Sequence, residues 1–323
     1  MKNETICVGE IEAEPGTKTF DYLPIRLPTE VRTSIAVGLI NGEKDGPALC
    51  LLAGHHGMEY PGIEAVIGTY KKVDPKELRG GIISVPVVNM LGFQKRTAYL
   101  CPVDGVNIAR IYPGNPNGSL AYVIAHTVLN EIVSKADYAM DHHGADIFES
   151  LAPFTLFCTG SGNKAVIAKA EGMAKAFGLN YRAHERSGMT LMEEAPKLGI
   201  PMLLAEIGGV EWNEPSVTMH TTGIENVMKH LGMIEGTPKP QLTEPPRQMP
   251  HKTYGVRTRS GGMWYPRVKA GDKISENEIV GETRDLDGSV KETLRSPCNG
   301  VVTFLWTYHV VDPGFQIMTI AKM

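Results

Sequence analysis

The chain has 323 residues, enough for one large domain or two smaller ones. Hydrophobic residues make up 42% and charged residues 21%, the balance of an ordinary water-soluble globular protein. A formal net charge of -4 supplies no basic field, which counts against nucleic acid or an anionic membrane as partner.

Short, nearly continuous apolar runs read as strands covered on both faces. In chain order they are "SIAVGLI" (34–40), "ALCLLA" (48–53), "IISVPVV" (82–88), "DYAMD" (137–141), "FTLFC" (154–158) and "MLLAEI" (202–207). Helices fit between them. Ser119 can cap one whose apolar face carries Leu120, Val123, Ile124, Val128 and Ile132 at helical spacing. "NKAVIAKAEGMAKAFG" ends on Gly178, a C-terminal stop, and "GIENVMKHLG" supplies a later helix. The alternation predicts an α/β sheet flanked by helices over residues 1–235. Residues 236–251 are rich in proline, lack periodicity and read as a linker. From 252 to 323, short apolar runs separated by "KAGDKI", "DLDGSV", "SPCNGVV" and "VDPGF" predict a small all-β domain.

Four side chains carry the chemistry. His56 and Glu59 form an HxxE pair just after the strand 48–53, with Gly54 and Gly57 allowing a sharp turn. His143 follows another strand, and sites in open α/β sheets gather at the carboxyl ends of strands. Two histidines, a carboxylate and an open position make a catalytic zinc pattern, in which bound water reaches a pKa near ~7. Glu206 ends a third apolar strand and is the candidate base beside that water, since burying a carboxylate there is costly without a task. Taken alone, His56 reads equally well as a loop residue; for Glu206 half of an ion pair is the lesser alternative to a base. His55 and His142 stand beside the two candidate ligands; the three-residue step to Glu59 selects His56 over His55.

Taken together, these segments resemble the succinylglutamate desuccinylase/aspartoacylase family, a branch of the zinc-carboxypeptidase fold. "GHHGMEYPG" resembles its G-x-H-G-x-E motif, "VVNMLGFQKR" its N-P-x-G-F and "NIARIYPG" its D-L-N-R-x-F-P-G. "MDHHGAD" resembles its D-L-H segment and "AEIGG" its catalytic glutamate segment. The resemblance implies a zinc-carboxypeptidase-like mixed sheet and one Zn2+ per chain, held by His56, Glu59 and His143. It implies Glu206 as base and proton shuttle. It also implies Arg96 and Arg110 at the cleft, one on the scissile carbonyl and the other on a substrate carboxylate. One departure stands out: the family's asparagine before the arginine is Ala109 here, and Asn107 is two residues out of register.

Secondary candidates for the cleft are Ser187, Gly188 and Thr190 as acyl-pocket residues, and Trp212 and His220 after Glu206. The tail resembles biotinyl and lipoyl carrier domains in pattern. Its hairpin "DLDGSV" has no lysine at the tip, and Lys291 lies beyond it, so a non-carrier domain is expected. The expected activity is a zinc-dependent amidohydrolase that removes an acyl group from a small N-acylated amino acid or amine. A peptide-directed zinc carboxypeptidase and a non-catalytic binding protein are the alternatives. Five scattered cysteines without a CxxC pair fit a reducing cytoplasm. The N-terminus lacks the apolar core of a signal peptide, and no run approaches the ~18 apolar residues of a membrane span. Self-association into a homo-oligomer is left open.

Overall fold

The apolar runs pair into one eight-stranded mixed sheet. The computed structural model describes residues 4–25, 33–184, 189–210, 213–243, 247–249 and 253–323. A short hairpin, β1 (Ile6–Val8) and β2 (Ile11–Ala13), precedes β3 (Thr17–Ile25), β4 (Thr33–Asn41) and β5 (Lys44–Ala53). Helix α1 (Tyr60–Lys72), β6 (Arg79–Val85), α2 (Met90–Lys95) and α3 (Leu120–Thr127) follow. Next come β7 (Tyr138–His143), β8 (Glu149–Leu151), β9 (Phe154–Cys158), α4 (Lys164–Phe177) and β10 (Tyr181–His184). The last elements of this layer are α5 (Leu191–Lys197), β11 (Met202–Glu206) and α6 (Glu214–His230). The strand order is β10-β9-β11-β7-β5-β6-β4-β3. The central strands β6, β5, β7 and β11 run parallel, while β4 and β9 are antiparallel to their inner neighbours.

Helices cover both faces, which is why the strand sequences are apolar without alternation. Val66, Met173, Phe177 and Ile224 of α1, α4 and α6 pack on one face. Leu120, Val123 and Ile124 of α3 and Leu191 of α5 pack on the other. The mixed sheet flanked by helices is the class the sequence predicts.

Local boundaries differ from the sequence reading for identifiable reasons. The run 82–88 stops being strand at Val85, because Pro86 has no N–H for the ladder. The run 137–141 extends to His143. Ser119 occupies the N-cap position of α3 but does not cap it. Instead Asp104 accepts a hydrogen bond from the Ala121 N–H at 2.8 Å and another from the Ser119 hydroxyl at 2.6 Å. Asp104→Ala is therefore expected to destabilise the protein by about 1–2 kcal/mol, and Ser119→Ala by less, in urea unfolding. After Thr127 the helix widens into a π-type turn, Val128–Ile132, whose Val128, Leu129 and Ile132 stay buried.

Residues 253–323 form antiparallel strands only: β12 (Thr253–Arg257), β13 (Gly262–Pro266), β14 (Lys273–Ile274), β15 (Ile279–Arg284), β16 (Val290–Arg295), β17 (Gly300–Trp306), β18 (Val310–Val311) and β19 (Gln316–Lys322). They enclose their own core of Trp264, Val280, Val302, Ile317 and Met318. β8 joins them, pairing Leu151 with Phe304 of β17. The C-terminal sheets thereby reach the connection between β7 and β9. Lys291 lies on β16, 3.7 Å from Asp285, and not at the hairpin tip. Within the proline-rich stretch, Lys239 bonds Asn226 of α6, and residues 247–249 lie beside β10, where the Tyr181 N–H donates to the Arg247 carbonyl. Among the described residues no helix is long and apolar enough to cross a membrane.

Candidate active site

Three strand ends build the site. β5 stops at Ala53, and Gly54 turns the chain at φ +65°. Gly57 lies so close to α2 that a Cβ there would sit 2.2 Å from the Phe93 nitrogen. This tight turn puts His56 and Glu59 directly before α1, with Glu59 as its N-cap residue. His143 ends β7 and Glu206 ends β11, and the two are cross-strand partners in the parallel pair. All four predicted residues thus meet at the carboxyl edge of the sheet.

The ring nitrogens are oriented from behind. Asn107 Oδ1 accepts from the Ala109 N–H at 3.0 Å, which fixes its amide orientation. The same oxygen stands 3.2 Å from His56 Nε2. Asp141 Oδ2 stands 3.0 Å from His143 Nε2. Both acceptors call for a proton on Nε2, which leaves Nδ1 of each ring as the atom that can bind a cation once the ring is neutral. Both Nδ1 atoms face one carboxylate: His56 Nδ1 is 2.6 Å from Glu59 Oε1, and His143 Nδ1 is 3.0 Å from Glu59 Oε2. Glu59 Oε2 is buried and lacks a hydrogen bond of proper geometry despite that proximity. Two Nδ1 atoms converging on a buried carboxylate with an unsatisfied oxygen are the donor set of a cation, and these three residues can hold a metal ion. Burial would raise Glu59, but His56 and His143, which the carboxylates around them favour in protonated form while no cation is bound, outweigh it and bring its carboxyl down to about 2.

A second cluster, His55, Asp141 and His143, also has metal-ligand spacing. Its atoms are committed to one another: His55 Nδ1 lies 3.0 Å from Asp141 Oδ1, and His55 Nε2 lies 2.6 Å from the Tyr112 hydroxyl. We therefore read it as support for His143 rather than as a metal centre. Burial would raise the Asp141 carboxyl, but His143 and His55 hold it well below the usual carboxylate range.

A cavity of about 330 Å³ opens on the cluster and is lined by His56, Asp141, His143 and Glu206. Arg110, Arg182, His184 and Thr190 supply further polar lining, and Phe304, Gln316 and Thr319 come from β17 and β19. Burial pushes the Glu206 carboxyl up to about 8; His143 opposes this shift and Glu59 reinforces it. Of the two predicted arginines, Arg110 lines the cavity. Arg96 is exposed at the C-cap of α2, at φ +54°, and is not among the lining residues. Thr190 lines the cavity, whereas Ser187, Gly188 and Trp212 lie outside the described residues.

His220 sits away from the cavity lining, completely buried. Its Nε2 lies 3.2 Å from the Ile207 carbonyl and its Nδ1 lies 3.0 Å from His142 Nδ1. Arg182 was not singled out from the sequence. It comes from β10 and lies over the Phe154 ring at 5.7 Å. Asp141 was visible only as a letter in "MDHHGAD", and its double contact requires the fold.

A family model described as the succinylglutamate desuccinylase/aspartoacylase catalytic domain matches residues 45–231. The N-alpha-acetyl-L-2,4-diaminobutyric acid deacetylase of Halomonas elongata is 27% identical over 290 residues, or 86% of this chain and 83% of that protein. The crystal structure of a succinylglutamate desuccinylase/aspartoacylase from Rhodobacter sphaeroides superposes with a TM-score of 0.86 at 27% identity, covering 94% of this chain and 95% of the other. The product-bound ectoine utilization protein EutE (DoeB) of Ruegeria pomeroyi shares the fold, with a TM-score of 0.87 at 20% identity over 100% of both chains.

Proposed function

Because the chain belongs to the succinylglutamate desuccinylase/aspartoacylase family, we propose that it is a zinc-dependent amidohydrolase that removes an acyl group from a small N-acylated amino acid or amine. The observation that carries this reading is the convergence of His56 Nδ1, His143 Nδ1 and both Glu59 oxygens beside the half-buried Glu206. The similarity to a deacetylase over most of both chains supports the reaction type. We assign one zinc per chain to His56, Glu59 and His143. Bound there, zinc would supply Lewis acidity, polarising the substrate carbonyl and acidifying a water.

The chain's own residues handle substrate and proton. Glu206 takes a proton from the attacking water and returns it to the leaving amine. Arg110, a cavity residue, stabilises charge developing on the carbonyl oxygen. We assign Arg96 to a carboxylate on the outer part of the substrate, reached from its exposed turn after α2. The volume of about 330 Å³, with Phe304, Gln316 and Thr319 forming part of the wall, favours a small substrate over a peptide. We further propose residues 1–235 as the catalytic domain, 236–251 as a linker and 252–323 as the β domain. All five cysteines are free thiols, which fits the cytoplasm.

Kinetics on a panel of N-acyl amino acids and short peptides test the reading. At least one N-acyl amino acid should be hydrolysed with a kcat/KM well above that of every peptide; the reverse ranking would make the enzyme a carboxypeptidase. Arg110→Ala should lower kcat roughly 100-fold, in the range of a lost oxyanion donor. Arg96→Ala should raise KM and leave kcat nearly unchanged.

A further inference from the structure

Behind His143 the hydrogen bonding continues past the residue that orients it. His143 Nε2–H donates to Asp141 Oδ2 at 3.0 Å. The other oxygen, Asp141 Oδ1, accepts from His55 Nδ1–H, also at 3.0 Å. A carboxylate can only accept, so this places the proton of a neutral His55 on Nδ1 and leaves Nε2 as acceptor. The Tyr112 hydroxyl donates to it at 2.6 Å. The His55 and His143 rings lie nearly parallel, 14° apart with centroids separated by 5.5 Å, and Asp141 bridges their edges. Tyr112, His55, Asp141 and His143 are all buried, so none of these bonds competes with bulk water.

The motifs that the chain resembles leave position 55 unspecified and carry phenylalanine where Tyr112 stands. Here those two positions hold a histidine and a tyrosine, and the two side chains bond to each other.

We propose that Tyr112 and His55 are positioning residues that act through Asp141 to lock the ring of His143 with Nδ1 aimed at the metal. The inference rests on the zinc reading above. Its consequence is metal retention. Without the Tyr112 hydroxyl, His55 loses the bond that fixes its ring and its hold on Asp141 loosens; without His55, Asp141 keeps its bond to His143 but loses the one that fixes its own rotation. His143 then samples ring orientations in which Nδ1 points away from Glu59. Outer partners of metal-binding histidines typically change metal affinity by about 10–100-fold.

The test is the zinc dissociation constant of the full-length protein, measured without substrate by competition with a chromophoric chelator. This readout is independent of turnover, which matters because Tyr112 also lines the cavity. Tyr112→Phe keeps the shape and removes only the hydroxyl. His55→Asn keeps an amide donor near the position of Nδ1, and His55→Gln moves the amide away from it. Tyr112→Phe and His55→Gln should bind zinc about 10–100-fold more weakly than wild type. His55→Asn should recover part of that loss, and the melting temperatures of the metal-free proteins should stay close. Tyr112→Phe decides the matter even if the His55 variants do not fold. Wild-type zinc affinity in Tyr112→Phe would overturn the inference alone. A wild-type protein that binds no zinc would overturn the proposed function and this inference with it.

Discussion

Glu206→Gln is expected to keep zinc at one per chain while kcat falls by roughly 10²–10⁴-fold, the usual contribution of a general base. The amide matches the carboxylate in shape but cannot take a proton from water. Glu206 is no ligand in the proposed centre, so metal content should not move. The same substitution has a stability signature that runs the other way. Burial raises the Glu206 carboxyl from its ordinary range to about 8 in the metal-free protein. A carboxyl with a folded-state pKa above its unfolded value contributes stability that is fully present below the unfolded pKa. That contribution is lost as pH rises through the folded pKa. The neutral glutamine has no such dependence. Metal-free Glu206→Gln should therefore melt above metal-free wild type near pH 9, and the gap should close towards pH 5. Thermal melts across that range, run with steady-state kinetics, check both halves. A variant with wild-type kcat would remove Glu206 from the reaction. A site that lowers stability in exchange for a poised base is common in enzymes.

The second large effect is expected from His143→Ala. The substitution removes one of three proposed protein ligands and leaves Glu59 facing a gap. Loss of zinc affinity should exceed the ~10–100-fold expected for an outer partner, and hydrolysis should fall to background. Elemental analysis after zinc loading and desalting reads this directly. His142→Ala is the matched control. His142 is the preceding residue on the same strand, but it points to the opposite face and bonds His220. It should lose stability and keep zinc. Metal retained in His143→Ala and lost in His142→Ala would exchange the two assignments.

Much of this centre is legible in the sequence because its parts are local. The apolar runs mark β5, β7 and β11 as doubly covered strands, and His56, Glu59, His143 and Glu206 lie at or just beyond their ends. Spacing alone selects His56 over His55, and the fold gives the physical reason: His55 is taken up by Asp141 and Tyr112. What the sequence does not carry is who stands behind whom. Arg182 enters the cavity only because β10 lies two strands from β11 in the sheet order, a crossover that no local pattern encodes. Asn107, out of register with the motif, faces His56 through a turn fixed by its own contact with Ala109. Asp104 caps α3 from 17 residues upstream of Ala121, so a local search stops at Ser119. Arg96 and Arg110 are alike in sequence, yet only Arg110 is placed on the cavity wall. Distinguishing them requires the left-handed turn that ends α2.

X-ray absorption at the zinc edge of the loaded protein is the most direct test of a zinc ion held by two imidazoles and one carboxylate. One zinc per chain is expected, with only nitrogen and oxygen neighbours at about 2.0–2.2 Å and the multiple-scattering pattern of two histidines. Sulfur neighbours at about 2.3 Å, or a protein that retains no zinc, would contradict it.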